Sequence, residues 1–168
     1  MRNIFAEKIE NKFTAKNIIL HAGTNDIPAE DPETVFSKLM HLVEDIKLRM
    51  PDSKLFVSAI LPKISPAFND GINHINFRLF EASQVMGFDF IQHNAFCQNS
   101  IFAENLYSRH ELEKGRPTHL SFKGVAVFAT NLKAALRSAS NIWLIFSLYL
   151  IFRPNYLTFS YTQKTFTF

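Results

Sequence analysis

Apolar residues along this chain switch repeatedly between two spacings, and the switches divide it into elements. In residues 2–13, Ile4, Phe5, Ile9 and Phe13 recur at helical intervals and predict a short amphipathic helix. NIILHA, residues 17–22, is an apolar run that stops at Gly23, which predicts a buried strand ending in a loop. Beyond it, Asp31 suits a helix N-cap, Pro32 the first helical position and Glu33 the positive end of the helix dipole. Val35, Leu39, Leu42, Val43 and Ile46 then share one face, and Pro51 stops the helix. KLFVSAILP, residues 54–62, predicts a second buried strand. In residues 69–87, Ile72, Ile75, Leu79, Ala82 and Val85 form a second helical face, with Gly87 at the C-terminal cap. FDFIQ, residues 88–92, predicts a third strand, and a long polar loop follows from about His93 to Thr118. The last helix runs from Ser121, its expected N-cap, to about Arg137, with Val125, Phe128, Ala129, Leu132 and Leu136 as its buried stripe.

The resulting order, αβαβαβα with near-continuous apolar strands, is that of a parallel sheet covered by helices on both faces. Chemistry in such sheets gathers at the carboxyl ends of the strands, here Gly23–Asp26, Leu61–Pro66 and the segment from His93. Composition trims the remaining choices. A formal net charge of +3 with no Lys/Arg stripe argues against a dedicated nucleic-acid partner. The single cysteine, Cys97, excludes an intrachain disulfide and suits a reducing compartment. The charged first residues cannot form the apolar core of a secretory signal, and no apolar run reaches the roughly 20 residues of a transmembrane span. A cytoplasmic location is the default expectation. No histidine pair has metal-ligand spacing, and no glycine motif cradles phosphate, so neither a metal nor another cofactor is expected.

Two short blocks carry candidate chemistry. GTND, Gly23–Asp26, follows the first strand, and the side-chain N–H groups of Asn25 could face a developing oxyanion. A plain turn uses the same residues. RPTHLSFKG, residues 116–124, sets His119 in a loop just before the last helix, where it could act as a general base or be an ordinary surface histidine. HAGTND after a strand, then a β/α/β/α run with the phrase VSAILPK, then THLSFKG opening the final helix, resembles the SGNH hydrolase superfamily of GDSL-type esterases. The likeness covers residues 1 to about 137. It extends to esterase-like domains of invertebrate proteins, including some encoded by non-long-terminal-repeat retrotransposons.

The resemblance implies a three-layer αβα, flavodoxin-like parallel sheet and hydrolysis of small acyl esters through a serine acyl-enzyme, without a metal. By position it implies that Asn25 and Gly23 belong to the oxyanion block and that His119 is the catalytic base. Two departures stand out. Arg116 occupies the place, three before the histidine, where the family has an aspartate, and arginine cannot accept the imidazole N–H. Glu111 or Glu113 is the available substitute. No GDS-type serine block precedes GTND: 22 residues come before Gly23 and none is serine. The expected sheet therefore lacks its first strands, leaving residues 17–22 as an edge that invites pairing with a second chain. Cys97 could replace the serine but reads more simply as an incidental thiol, and Ser58 reads as strand packing. Two readings follow: an acyl-ester hydrolase domain that is inactive or impaired in this chain, and a non-catalytic binding module using the same cleft. Residues 138–168, with nine aromatics and no acid, read as an extension outside the 1–137 domain.

Overall fold

The computed structural model describes residues 15–63, 66–98, 101–113 and 119–138. Expectations for the helix at 2–13, for Arg116 and for the tail beyond Ser138 fall outside the described residues. Strands β1 (Asn17–Leu20), β2 (Lys54–Ser58) and β3 (Asp89–Ile91) form a parallel sheet in the order β1-β2-β3. The register pairs Asn17 with Lys54, Leu20 with Val57, and Ser58 with Ile91. Among the described residues β1 pairs on one side alone, with β2.

The connections are helices α1 (Pro32–Arg49) and α2 (Pro66–Met86), and both pack on one face of the sheet. Strand alternation sorts the core. Ile18, Leu20, Leu55 and Val57 point to the α1/α2 side, where they meet Val35, Leu39, Val43, Ile46, Ile72, Ile75 and Leu79. Ile19, Phe56 and Ile91 point the other way, into Phe128, Leu132 and Leu136 of the closing helix α4 (Phe122–Ser138). The result is the expected three-layer α/β arrangement.

Caps form where the sequence places them. The Asp31 carboxylate accepts the backbone N–H of Thr34 at 3.0 Å, and the Thr34 side-chain and backbone bonds hold its pKa below the usual carboxylate value. Gly87 takes φ 68° just past α2, while Lys47 of α1 donates to the carbonyls of Met86 and Gly87 there.

Three expected core positions are corrected. Val85 is 84% exposed, Val125 53% and Leu42 39%. Each lies at the margin of its apolar stripe, where a wider stripe than the sheet can cover leaves the flank in water. The strands are also shorter than the apolar runs that predict them: Ala59–Leu61 stay buried beyond the end of β2, with the Ala59 N–H still on the Ile91 carbonyl at 2.9 Å. The segment 93–118 is no uniform loop. It holds 3₁₀ turns at Asn94–Phe96 and Glu104–Leu106, an antiparallel pair of short strands, β4 (Cys97–Gln98) and β5 (Ile101–Phe102), and the short helix α3 (Arg109–Glu113). Phe96, Leu106 and Tyr107 are buried and extend the α4-side core.

Candidate functional site

β1 ends in the turn that carries Gly23 and Asn25. Gly23 has φ 101°, and a Cβ there would lie 2.9 Å from Ile60 Cδ1 and 3.5 Å from side-chain atoms of Leu39 and Val35. Only glycine combines that backbone with that close approach. The turn is closed by the Asp26 N–H donating to the Gly23 carbonyl at 3.1 Å, and Asn25 is exposed on it.

The rim beyond β2 is fixed by two asparagines of α2. Asn76 receives the Ile60 N–H at 2.8 Å and donates to the Ile60 carbonyl at 2.9 Å. Asn69 pairs with Lys63 in the same two-way manner. Each amide mimics a strand partner for backbone that has left the sheet.

His119 is carried to this rim by the α4 entry. Tyr107 and Leu120 form an antiparallel bridge, with the Ser108 N–H on the His119 carbonyl and the Ser121 N–H on the Leu106 carbonyl, each at 2.9 Å. The Tyr107 hydroxyl donates to the Pro62 carbonyl at 2.6 Å, tying the His119 segment to the carboxyl end of β2. Burial, with nearby Cys97 second, pushes that phenol above its ordinary pKa, so it stays a donor. Ser121 caps α4 as expected, accepting the Gly124 N–H at 3.1 Å.

Glu111 of α3 is the carboxylate on the histidine. One oxygen accepts the His119 backbone N–H at 2.8 Å, and the other faces Nδ1. A carboxylate can only accept, so Nδ1 carries the proton and the neutral ring keeps its basic lone pair on Nε2. This is the tautomer a general base needs. Glu113 is instead paired with Arg109 at 3.2 Å. Of the other sequence candidates, Cys97 is exposed on β4.

A polar chain that sequence reading missed lies behind the rim. Ser58 is 2% exposed, and His21 and His93 are 7% each. Ser58 Oγ lies 2.7 Å from His93 Nε2 and 2.9 Å from His21 Nδ1, and Asn131 Nδ2 of α4 lies 3.0 Å from His93 Nδ1. Ser58 is the expected core residue, but one with its hydroxyl fully engaged. Burial lowers the pKa of His21 to about 4, and burial followed by the charge of His21 lowers that of His93 to about 3. Both are neutral near pH 7.

A cavity of about 620 Å³ opens elsewhere, at the outer edge of β3 between α2 and α4. Phe80, Phe88, Phe90 and Asn131 line it, and Gly23, Asn25 and His119 do not. Among the described residues no cluster of three metal-ligating side chains exists, and no helix is long and apolar enough to cross a membrane.

This three-layer α/β architecture is similar to that of solved GDSL-like lipase and esterase structures. A GDSL-like lipase from Bacteroides thetaiotaomicron shares it at TM-score 0.60 and 16% identity, over 74% of this chain and 63% of that one. The esterase domain of the ORF1 protein from the zebrafish ZfL2-1 retrotransposon shares it at TM-score 0.53 and 21% identity, over 70% of this chain and 66% of that one. The chain thus spans under two thirds of either structure. No family model matches it. Over 86 residues it is 33% identical to the large ribosomal subunit protein bL25 of Chlorobium phaeovibrioides, covering 50% of this chain and 42% of that protein.

Proposed function

We propose that this chain is the base-bearing part of an acyl-ester hydrolase, in which His119 is the general base, Glu111 orients it, and Gly23 and Asn25 serve the developing oxyanion. The observation that carries this reading is the Glu111 carboxylate set on both the backbone N–H and Nδ1 of His119. It supplies the imidazole with an acceptor although position 116 is arginine. Phe122 and Val125, exposed in the first turn of α4 close behind His119, offer an acyl chain an apolar surface.

The sequence contains no GDS block, so the nucleophile is the missing role. In the family the serine-bearing strand lies beside the GTND strand, and we take the side of β1 that has no strand partner among the described residues as its place. A segment supplied from outside the described residues, or from a second copy, would complete both sheet and site.

The test is hydrolysis of p-nitrophenyl acetate. The chain alone should give no turnover above buffer, and His119→Ala should not change that. Fusing a GDS-bearing strand segment ahead of Met1 should create hydrolysis that falls about 10²–10⁴-fold in His119→Ala, the usual contribution of a positioned base. Turnover in the fusion that is indifferent to His119 would overturn the assignment. Turnover by the chain alone, lost in Cys97→Ala, would replace the missing serine with the thiol.

A further inference from the structure

The chain of Asn131, His93, Ser58 and His21 joins four separate segments: α4, the loop after β3, β2 and the residue after β1. Its donors run in one direction. The Asn131 amide nitrogen can only donate, so His93 Nδ1 accepts. His93 Nε2–H then donates to Ser58 Oγ, which also lies 2.9 Å from His21 Nδ1. His93 accepts through the nitrogen that a proton would occupy. Protonating His93 sets an N–H against the Asn131 N–H. The ring of Phe128 lies 4.8 Å from that of His21 and 4.7 Å from that of His93, so α4 seals both from water.

We propose that this four-residue chain is an acid-operated latch that holds α4, and with it the His119 segment, on the sheet near neutral pH and releases them on acidification. Release follows because the protonated rings require water, and the side they are sealed from is α4. The opposite layer, α1 and α2 on their own core, holds none of the four residues. The inference stands independently of any ester chemistry.

The surrounding charges neither stabilise the protonated rings nor mask the effect. On α4, Lys123, Lys133 and Arg137 are exposed cations. Lys54 stands at the far end of β2, paired with Asp89 at 3.0 Å. From the segment after β3, Cys97 is exposed, and Tyr107 has a phenol pushed up by burial. Burial lowers both histidines, and the charge of His21 lowers His93 further.

Both folded pKa values lie below the ordinary 6.5, at about 4 and about 3, so the stabilisation is complete above pH 6.5 and is lost as pH falls toward 4. Between pH 7 and 5 each histidine should raise the opening equilibrium about twentyfold, and the two together on the order of 500-fold. Amide hydrogen exchange on the intact chain reads this directly. Protection factors in residues 122–138 should fall by that order between pH 7 and 5, while those in 35–48 and 72–85 fall far less. Loss in step across both layers would show ordinary global acid unfolding and overturn the latch. A second arm uses His21→Asn with His93→Gln, neutral amides that keep an acceptor at each site. If that variant folds, its α4 protection should be nearly flat over the same range, and a profile equal to wild type would overturn the proposal. Ring-proton titration of the unaltered chain covers the case where it does not fold. His21 and His93 should stay neutral until α4 opens and then titrate with that opening, and simple titration near pH 6.5 without opening would exclude the latch.

Discussion

Gly124→Ala should lower stability by at least about 3 kcal/mol and Tm by on the order of 10 °C, a larger loss than most single substitutions cause. The reason is local and steric. A Cβ at Gly124 would sit 1.9 Å from the Leu106 carbonyl oxygen and 2.9 Å from its carbon, in backbone that cannot swing aside like a side-chain tip. The same carbonyl receives the Ser121 N–H at 2.9 Å, so pushing it away also unseats the start of α4 and the bridge beside His119. Gly71→Ala is the matched control. It too lies within a helix, yet its nearest contact would be Pro32 Cγ at 3.2 Å. There the better helix propensity of alanine offsets a mild contact, and stability should move by less than about 1 kcal/mol. Thermal denaturation of both variants separates close backbone approach from generic glycine effects.

Glu111→Gln in the serine-supplied fusion should lower kcat about 10²-fold with little change in KM. A glutamine keeps the size of the side chain but no longer stabilises the imidazolium that forms in the transition state. In chymotrypsin-like proteases, where the orienting aspartate is buried, neutralising it costs about 10⁴. The pair here is wetter, with side-chain exposures of 51% for His119 and 22% for Glu111, so water takes over part of the role and the loss is smaller. A 10²-fold fall for Glu113→Gln and none for Glu111→Gln would reverse the assignment.

Much of the fold was legible because burial follows period. Helical spacing located α1, α2 and α4, and apolar runs located all three strands of the main sheet. The flanks of the stripes, Leu42, Val85 and Val125, were not legible, since their burial depends on how far a three-stranded sheet reaches. The order within 93–118 was hidden as well. Its anchors Phe96, Leu106 and Tyr107 are spaced irregularly and are buried one at a time against α4 rather than along a face.

The site divides in the same way. GTND and His119 follow from motif and position. The choice of Glu111 over Glu113 depends on a single short helical turn, α3, that no periodicity marks. The histidine–serine chain was within reach of simple arithmetic. Successive odd or even positions of a strand share a face, so Ile19 and His21, Phe56 and Ser58, and Ile91 and His93 all fall on the α4 side. Three polar residues following three buried apolar ones at the carboxyl ends of adjacent strands were a signal for a shared network.

The central claim is that Glu111 holds the Nδ1 proton of His119 and leaves Nε2 as the base. Proton and nitrogen NMR of the chain labelled at its imidazole nitrogens tests it most directly. The account predicts a downfield, exchange-protected Nδ1–H resonance for His119 near neutral pH, with Nε2 unprotonated, lost in Glu111→Gln and retained in Glu113→Gln. A His119 ring protonated on Nε2, or an Nδ1–H signal unchanged by Glu111→Gln, would contradict it.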